Sequence, residues 1–177
     1  MNIKNYKIND IVIKTNRFTL RELNAEDVTE KYLNWLNDKD ITKWIVAASK
    51  KNNLNSLKEY VSQRIGRNDI LFLAIFDNKT NSHIGNIKYE PIDYEAGIAT
   101  MGILIGEREY RGKGVFAEVF LASASWLKND KKISRINLGV EMKNHAAIRA
   151  YQKCGFKINN GENGKFKARS MMMSYDI

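Results

Sequence analysis

Two hydrophobic periods alternate along the chain and divide it into strands and helices. Segments in which every second residue is apolar are typical of strands with one solvated face, whereas apolar residues three or four positions apart are typical of helices. Three strand-like segments in succession from residue 70 onward, separated by polar turns at 77–81 and 91–95, predict an antiparallel meander. The predicted strands are 11–13, 17–21, 71–76, 83–89, 98–105, 133–140, 156–159 and 166–175. The predicted helices are one that Asn24 or Asp27 caps and that continues through Leu36, then 55–67, 115–128 and 144–154.

The order of these elements predicts an α/β (α+β) fold, and the length favours a single domain over residues 1–177. With 44% hydrophobic and 28% charged residues, the composition is that of a globular chain. The longest apolar stretch, near 98–105, is far shorter than the ~20 residues of a membrane helix, and the first residues hold no apolar signal core. The single cysteine, Cys154, excludes an internal disulfide, and with His83 and His145 it has no zinc-site spacing. We therefore expect a cytoplasmic protein with no membrane contact and no structural metal.

The net charge of +9 is concentrated in the C-terminal part of the chain. Residues 106–177 hold 14 of the 29 Lys and Arg residues but only 7 of the 20 Asp and Glu residues. Clustered basic residues attract anionic partners, so an anion site in this part is one interpretation. Surface lysines that only promote solubility are the other interpretation. Charge alone therefore leaves an RNA-binding protein among the alternatives.

A glycine-rich loop, Arg111-Gly112-Lys113-Gly114-Val115-Phe116, lies between the strand 98–105 and the helix that follows it. Glycines let the backbone approach an anion closely, and the N–H groups of a helix N-terminus favour negative charge. The spacing differs from that of a P-loop, because Gly106 is one residue too far from Gly112 and Gly114 follows Lys113. The loop is thus a general anion site that is not of the P-loop type.

The loop sequence fits a dinucleotide-binding motif, but the position of the loop in the chain does not. The stretch 112–117 fits G-x-G-x-x-A, and Glu141 follows the next strand where a ribose-binding acid would stand. However, residues 107–111 separate Gly106 from the first motif glycine, and only 36 residues follow Glu141. The chain also reaches this unit after an antiparallel meander, whereas a Rossmann fold would begin with it.

Two motifs taken together resemble one family. Arg111-Gly112-Lys113-Gly114 after a strand, followed by Asn144-x-x-Ala147-Ile148-x-x-Tyr151-x-x-x-Gly155-Phe156, resembles the coenzyme A loop and next helix of the GNAT acetyltransferase superfamily. The stretches 17–23 and 107–110 are similar to the branch that includes ribosomal-protein N-terminal acetyltransferases. The element order matches that fold over nearly the whole chain. The resemblance implies one GNAT-like domain with a mixed, mostly antiparallel central sheet flanked by helices.

The resemblance also implies an acetyl-CoA-dependent N-acetyltransferase in which a primary amine attacks the thioester directly. Tyr151 would be the catalytic acid, since a phenol of unperturbed pKa ~10 can protonate the departing thiolate at neutral pH. The backbone of the strand before the loop would pair with the pantetheine arm, the loop would hold the pyrophosphate, and Arg111 and Lys113 would add positive charge. The expected cofactor-binding residues are Ile103, Leu104, Ile105, Arg111, Gly112, Lys113, Gly114, Val115, Phe116 and Asn144.

Two positions depart from the family pattern. Phe116 stands where Gly or Ala is usual, and we expect its side chain to turn away from the loop and leave only its N–H in use. Thr100-Met101-Gly102 stands where relatives often carry Glu-Ile-Gly, so the resemblance supplies no general base. The remaining candidates for the base are the acidic residues of the turns after the second meander strand and water in the cleft. These residues are Glu90, Asp93 and Glu95.

The acceptor is the least determined part of the prediction. Tyr32, Trp35 and Trp44 fall where the family forms the acceptor side of its cleft, with Trp35 expected in the core. The stretch 35–38 resembles members that act on amino-sugar nucleotides, whereas the branch resemblance implies a protein N-terminus. A small amine is a further option, and nucleic acid is expected only in a ribosome-associated substrate. A homodimer and a non-catalytic acyl-CoA sensor both stay open.

Overall fold

The computed structural model describes residues 11–44, 53–159 and 169–177. Eight strands form one sheet in the order β1-β2-β3-β4-β5-β6-β8-β7. The strands are β1 (Val12–Lys14), β2 (Phe18–Glu22), β3 (Leu71–Asp77), β4 (His83–Asp93), β5 (Ile98–Ile105), β6 (Arg135–Glu141), β7 (Lys157–Ile158) and β8 (Ser170–Asp176). The α-helices are α1 (Glu30–Asn37), α2 (Lys39–Thr42), α3 (Leu54–Ser62), α4 (Val115–Lys131) and α5 (His145–Lys153). Short 3-10 turns lie at Ala25–Asp27 and Arg108–Tyr110.

Helices cover both faces of the sheet. On one face, α4 buries Val119, Phe120 and Leu127 against strand residues such as Leu73 and Ile87. On the other face, α1 and α3 pack over a second apolar cluster, which includes Tyr32, Trp35, Leu57, Val61 and Ala74. The helix α4 buries one face, from Val115 to Leu127, and its C-terminal residues 128–130 are exposed. The α/β fold with a mixed, mostly antiparallel sheet flanked by helices is thereby confirmed.

Three predicted boundaries were wrong. The expected turn at 91–95 begins later, because β4 continues through Pro91 to Asp93 with a register shift between Tyr89 and Ile92. A proline donates no ladder hydrogen bond, and strands tolerate it at such irregularities. The first helix is two pieces: Asn24 caps the 3-10 turn, and Thr29 caps α1. The second helix ends at Ser62, five residues before the predicted end.

Other predicted boundaries differ by only a few residues. The helix expected over 115–128 continues to Lys131, where the left-handed Lys132 ends it. The final predicted strand, 166–175, is observed as β8, and its residues 166–168 lie outside the described residues. None of the helices in the described part of the chain has the length and apolar character needed to cross a membrane.

The feature that positions the site is a fork between β5 and β6. These two strands run parallel and pair only where Ile98–Thr100 meets Arg135–Asn137. Beyond Thr100, β5 continues to pair with β4 as far as Ile105, but no longer with β6. The β6-facing edge of the second half of β5 therefore has backbone N–H and C=O groups without strand partners, which an extended ligand can bind as an added strand.

Candidate functional site

A cleft of about 1320 Å³ opens at this fork and reaches both sides of β5. One half, here called the cofactor half, lies between the second half of β5, the loop before α4, and α5. The other half, called the acceptor half, lies over the sheet face that α1 and α3 cover. Gly102 of β5 lies between the halves, and a Cβ built there would meet no atom within 4 Å.

The loop of the cofactor half presents its backbone to the cleft. Gly112 and Gly114 both have a φ of +74°, a left-handed conformation that favours glycine. Gly114 is the N-cap residue of α4, and no side chain caps the helix. The first N–H groups of a helix have no partner within it, and the helix dipole adds positive charge at this end. The loop and the start of α4 can therefore bind a phosphate group through backbone N–H groups.

An ion pair with β1–β2 fixes the loop from behind. The Arg17 guanidinium donates from Nε to a Glu118 carboxylate oxygen at 2.7 Å and from Nη1 to the Lys113 carbonyl at 3.0 Å. Glu118 also accepts from the Thr15 hydroxyl and the Arg17 backbone N–H, both at 2.7 Å. Burial raises the pKa of Glu118, but these hydrogen bonds outweigh it and hold the pKa below its usual value. The first turn of α4 is thus tied to the neighbouring strands.

The two basic residues of the loop are placed differently. Arg111 donates to the carbonyl oxygens of Ile105, at 3.0 Å, and Gly106, so its guanidinium is hydrogen-bonded to the backbone at the end of β5. Asp38 lies 3.8 Å from the same guanidinium. The Lys113 side chain is exposed, and only its backbone carbonyl has a described contact. Arg111 therefore supports the strand end, whereas Lys113 can reach an anion in solvent.

Tyr151 of α5 enters the cleft beside Phe116. The two rings are 4.9 Å apart in an edge-to-face contact, and Phe116 also stacks on Phe120 at 5.3 Å. The Phe116 side chain therefore lies in an aromatic cluster rather than over the loop, while its N–H belongs to the first turn of α4. Burial raises the pKa of the Tyr151 phenol to about 12. No hydrogen bond to its hydroxyl is found within the described ranges, so the phenol is a protonated and unoccupied donor in the cleft.

Asn144 begins α5, and its side chain accepts from the Ala147 N–H at 3.2 Å. This capping contact fixes the start of the helix that carries Tyr151. Asn144 and Tyr151 both line the cleft, opposite Ile103, Leu104 and Ile105 of β5. The structure thus brings the predicted site residues to one cleft, except that the Lys113 side chain does not line it.

A network that the sequence did not reveal borders the acceptor half, and its members Lys88 and Tyr60 line the cleft. Lys88 of β4 donates to the Tyr60 hydroxyl at 2.6 Å and to the Glu90 carboxylate at 2.5 Å. Arg64 donates to the same carboxylate at 3.0 Å and stacks on the Tyr60 ring at 3.6 Å. Burial raises the pKa of Glu90, but the hydrogen bonds from Lys88 and Arg64 outweigh it and lower the pKa. Glu90 is therefore an ionised partner of two cations and a poor base.

His83 and Asn86 form a second buried pair on the same side. The His83 Nε2 lies 3.0 Å from the Gly85 carbonyl oxygen and 2.9 Å from Asn86 Oδ1. A carbonyl oxygen only accepts, so Nε2 must carry a proton, and it donates to both oxygens. Burial lowers the pKa of His83, which lies among the rings of Tyr32, Trp35 and Phe76. The ring is thus a neutral hydrogen-bond donor with a structural role.

The remaining acidic residues differ in whether they line the cleft. Asp93 and Glu95 are exposed in the β4–β5 turn and do not line the cleft. Glu141, at the end of β6, does line it, and among the described residues its carboxylate has no ion pair. Sequence reasoning considered Glu141 only as a ribose-binding acid. Its position at the end of the strand before Asn144 was the signal that could have placed it in this cleft.

The three aromatic residues expected on the acceptor side have different roles. Trp35 is a core residue: its ring lies against Gly106, where an added Cβ would come within 2.0 Å of it, and its Nε1 donates to Glu107 at 3.0 Å. Tyr32 is also buried but touches the cleft, and Trp44 is 37% exposed at its rim. Only Trp44 is free to contact a ligand with a large part of its surface.

A covalent cysteine mechanism has no support here. Cys154 touches the cleft, but burial raises the pKa of its thiol, and no described hydrogen bond or ion pair reaches the sulfur. A reactive cysteine needs a lowered pKa and a nearby base. Within the described ranges, no group of three or more His, Cys, Asp or Glu side chains is placed to hold a metal ion.

Comparison with known families identifies this arrangement. Residues 17–157 match the model of the acetyltransferase (GNAT) domain. The chain belongs to the GNAT family. It is therefore an acyltransferase of the N-acetyltransferase class, as the motifs at the loop and at α5 predicted. A relative of this GNAT chain is an uncharacterized N-acetyltransferase, YokL, derived from the SPbeta prophage of Bacillus subtilis (strain 168). The two are 26% identical over 139 residues, which cover 78% of this chain and 75% of the relative.

Two solved GNAT structures show the same fold. RimL, a ribosomal L7/L12 α-N-protein acetyltransferase solved with coenzyme A, superposes with a TM-score of 0.81 at 14% identity, covering 94% of this chain and 98% of its own. Spermidine N-acetyltransferase from Vibrio cholerae, solved with coenzyme A and spermine, gives 0.75 at 23% identity, covering 90% and 95%. These two proteins act on different amines, so the shared fold does not select an acceptor.

Proposed function

We propose that the protein transfers the acetyl group of acetyl-CoA to a primary amine by direct attack. The observation that carries the proposal is the convergence of three features on one cleft: the β5–β6 fork, the left-handed glycines at the start of α4, and the Tyr151 hydroxyl. An extended pantetheine arm fits the free edge of β5, and the loop then meets the pyrophosphate. Solved relatives that contain coenzyme A support this assignment.

Each step of the transfer has a candidate group. The amine nitrogen attacks the thioester carbonyl carbon, and the carbon–sulfur bond breaks as the tetrahedral intermediate collapses. The departing thiolate takes the Tyr151 proton, which the raised pKa retains at neutral pH. Glu141 is the carboxylate that we assign as acceptor of the amine proton, directly or through water. The proposed acid, Tyr151, thus lies on α5, and the proposed base, Glu141, lies at the end of β6.

The Glu141 assignment is tested by Glu141→Gln. We expect kcat/KM for the acceptor to fall by about 10²-fold near neutral pH and to recover as the pH approaches the pKa of the free amine, because amine that is already deprotonated needs no base. An unchanged pH profile would exclude Glu141. The exposed Glu109→Gln variant, in the turn before the loop, is the matched control.

The acceptor options are an amino-sugar nucleotide, another small amine and a protein N-terminus. A thiol-release assay with acetyl-CoA and one acceptor of each kind tests the proposal directly. Turnover of at least one primary amine is the expected result. The rival is a sensor that binds coenzyme A without chemistry, and coenzyme A binding without turnover of any amine favours it. Salt-sensitive RNA binding without coenzyme A binding favours an RNA-binding protein instead.

A further inference from the structure

The acceptor half of the cleft presents hydrogen-bond donors, and this deepens the proposed function by selecting a substrate class. Asn86, Lys88 and Tyr60 line it. Register places Asn86 opposite Leu104 and Lys88 opposite Gly102, so both side chains lie on the sheet face that α1 and α3 cover. Lys88 therefore stands across from the glycine that separates the two halves of the cleft.

The Asn86 amide is buried with an unused donor. Asn86 is 3% exposed, and its Nδ2 is the buried side-chain nitrogen that has no hydrogen-bond partner within the described part of the chain. The amide orientation is fixed, because the Nε2–H of His83 must face an acceptor and holds Oδ1. Leaving a buried donor unsatisfied is unfavourable, so its retention next to the cleft indicates a partner that arrives with the substrate.

The other two groups are donors as well. The Tyr60 hydroxyl oxygen accepts from Lys88, which leaves its own proton free to donate. An ammonium has three N–H donors, and described contacts to Tyr60 and Glu90 use two of those on Lys88. The charge of this corner is positive, because Lys88 and Arg64 share the single carboxylate of Glu90. Arg64 also covers a face of the Tyr60 ring that a ligand cation could use.

Among the described residues that line the cleft, no carboxylate is left over for a polycationic acceptor. Of the two carboxylates that line the cleft within the described ranges, Asp40 already pairs with Lys43 and Arg108. The other, Glu141, serves the amine that reacts. A second ammonium would thus face Lys88 without compensation, which like-charge repulsion and desolvation disfavour.

We infer that the acceptor carries oxygen atoms beside its reactive amine, as hydroxyl, carbonyl, carboxylate or phosphate groups, and is not a polyamine. Asn86, Lys88 and Tyr60 bind these oxygens and determine specificity. This inference rests on the proposed acetyl transfer, because it concerns the amine that the same cleft binds. Among small amines, it favours an amino sugar over an aliphatic diamine.

The test compares glucosamine 6-phosphate with putrescine and spermidine in a thiol-release assay at saturating acetyl-CoA. We expect kcat/KM for the phosphorylated amino sugar to exceed that for either polyamine by at least about 10-fold. Asn86→Asp, which replaces the donor by an acceptor of the same shape, and Lys88→Met should each reduce this ratio by about 10-fold or more. The exposed Asn129→Asp and Lys128→Met variants on α4 are the matched controls.

Coenzyme A affinity, measured by calorimetry in every variant, distinguishes a failure of this inference from a failure of the proposed acetyl transfer. Unchanged affinity with an altered ratio supports the inference, since a merely structural role would affect both acceptors alike. Equal or better use of spermidine by the unmodified protein, or a ratio that neither variant changes, would overturn it and leave acetyl transfer intact. If the unmodified protein does not bind coenzyme A, the proposed function is overturned instead.

Discussion

The two halves of the cleft differ in the kind of group that they offer to a ligand. In the cofactor half the binding groups are mainly backbone: the free edge of β5, the loop glycines, and the first turn of α4. In the acceptor half they are side chains that reach the cleft from β4 and α3, such as Lys88 and Tyr60, which are hydrogen-bonded although they are 28 positions apart. Backbone sites are therefore visible in local sequence, whereas side-chain networks depend on the tertiary fold.

The comparison predicts separable defects. Changes in the cofactor half should alter coenzyme A affinity for every acceptor equally, whereas changes in the acceptor half should alter acceptor discrimination at constant coenzyme A affinity. Tyr151 belongs to neither class, because its hydroxyl is assigned to the chemical step between the two bound substrates. Substitutions in each half and at Tyr151 test this separation.

Tyr151→Phe should lower kcat by about 10² to 10⁴-fold while leaving coenzyme A affinity nearly unchanged, because the phenol proton is needed only when the thiolate departs. Steady-state kinetics and calorimetry measure the two quantities. The ring packs against Phe116 and Phe156, and phenylalanine preserves those contacts. Full activity in the variant would show that water or another group protonates the thiolate. A parallel loss of affinity would assign Tyr151 to binding.

Two glycines of one chain segment should respond differently to alanine, Gly106 in stability and Gly102 in acceptor kinetics. At Gly106 the new Cβ would overlap the Trp35 ring, so the free energy of unfolding should fall by about 1 to 3 kcal/mol. At Gly102 the Cβ meets nothing, so stability should hold while the acceptor KM rises because the methyl group narrows the passage between the halves. Thermal unfolding and acceptor kinetics check both. Equal stability of the two variants would contradict the packing of Trp35 described above.

On the alkaline side, kcat should not fall at the pH where an exposed tyrosine would lose its proton. An exposed tyrosine, with a pKa of 10.0, would lose half of its acid form at that pH, whereas burial raises the pKa of Tyr151 to about 12. The raised value keeps the phenol protonated below its pKa, so kcat should stay level between about pH 8 and pH 10. Thiol-release rates at saturating substrates measure this. A decline centred near pH 10, absent from Tyr151→Phe, would place the phenol in solvent.

Much of the cofactor half could be predicted from sequence because its requirements are local. Glycines with positive φ, an uncapped helix start and the Asn144 cap are each fixed by a few neighbouring residues. The strand β4 was less predictable, since its continuation through Pro91 depends on pairing with β5 across a register shift. The roles of Asn86 and Lys88 could not be read from sequence, because β5 and Tyr60 of α3 come to lie beside them only after folding.

Arg111 shows the limit of the family resemblance even in the better predicted half. Its charge was expected at the pyrophosphate, yet its guanidinium binds the carbonyls of Ile105 and Gly106. Sequence spacing located the loop but not the direction of this side chain, which depends on the course of the chain after β5. Its assignment as a cofactor-binding residue stays a prediction.

Calorimetric titration of coenzyme A into the unmodified protein and into Gly114→Val tests whether the loop before α4 binds the cofactor. Valine at Gly114 places a branched side chain at a position of φ +74°, where the loop meets the helix N-terminus. Gly97→Val is the matched control, since Gly97 has a φ of +67° in the β4–β5 turn, which does not line the cleft. We predict binding by the unmodified protein and the control, and at least about 10-fold weaker binding by Gly114→Val. Absence of binding by the unmodified protein, or equal affinity in Gly114→Val, would contradict the account.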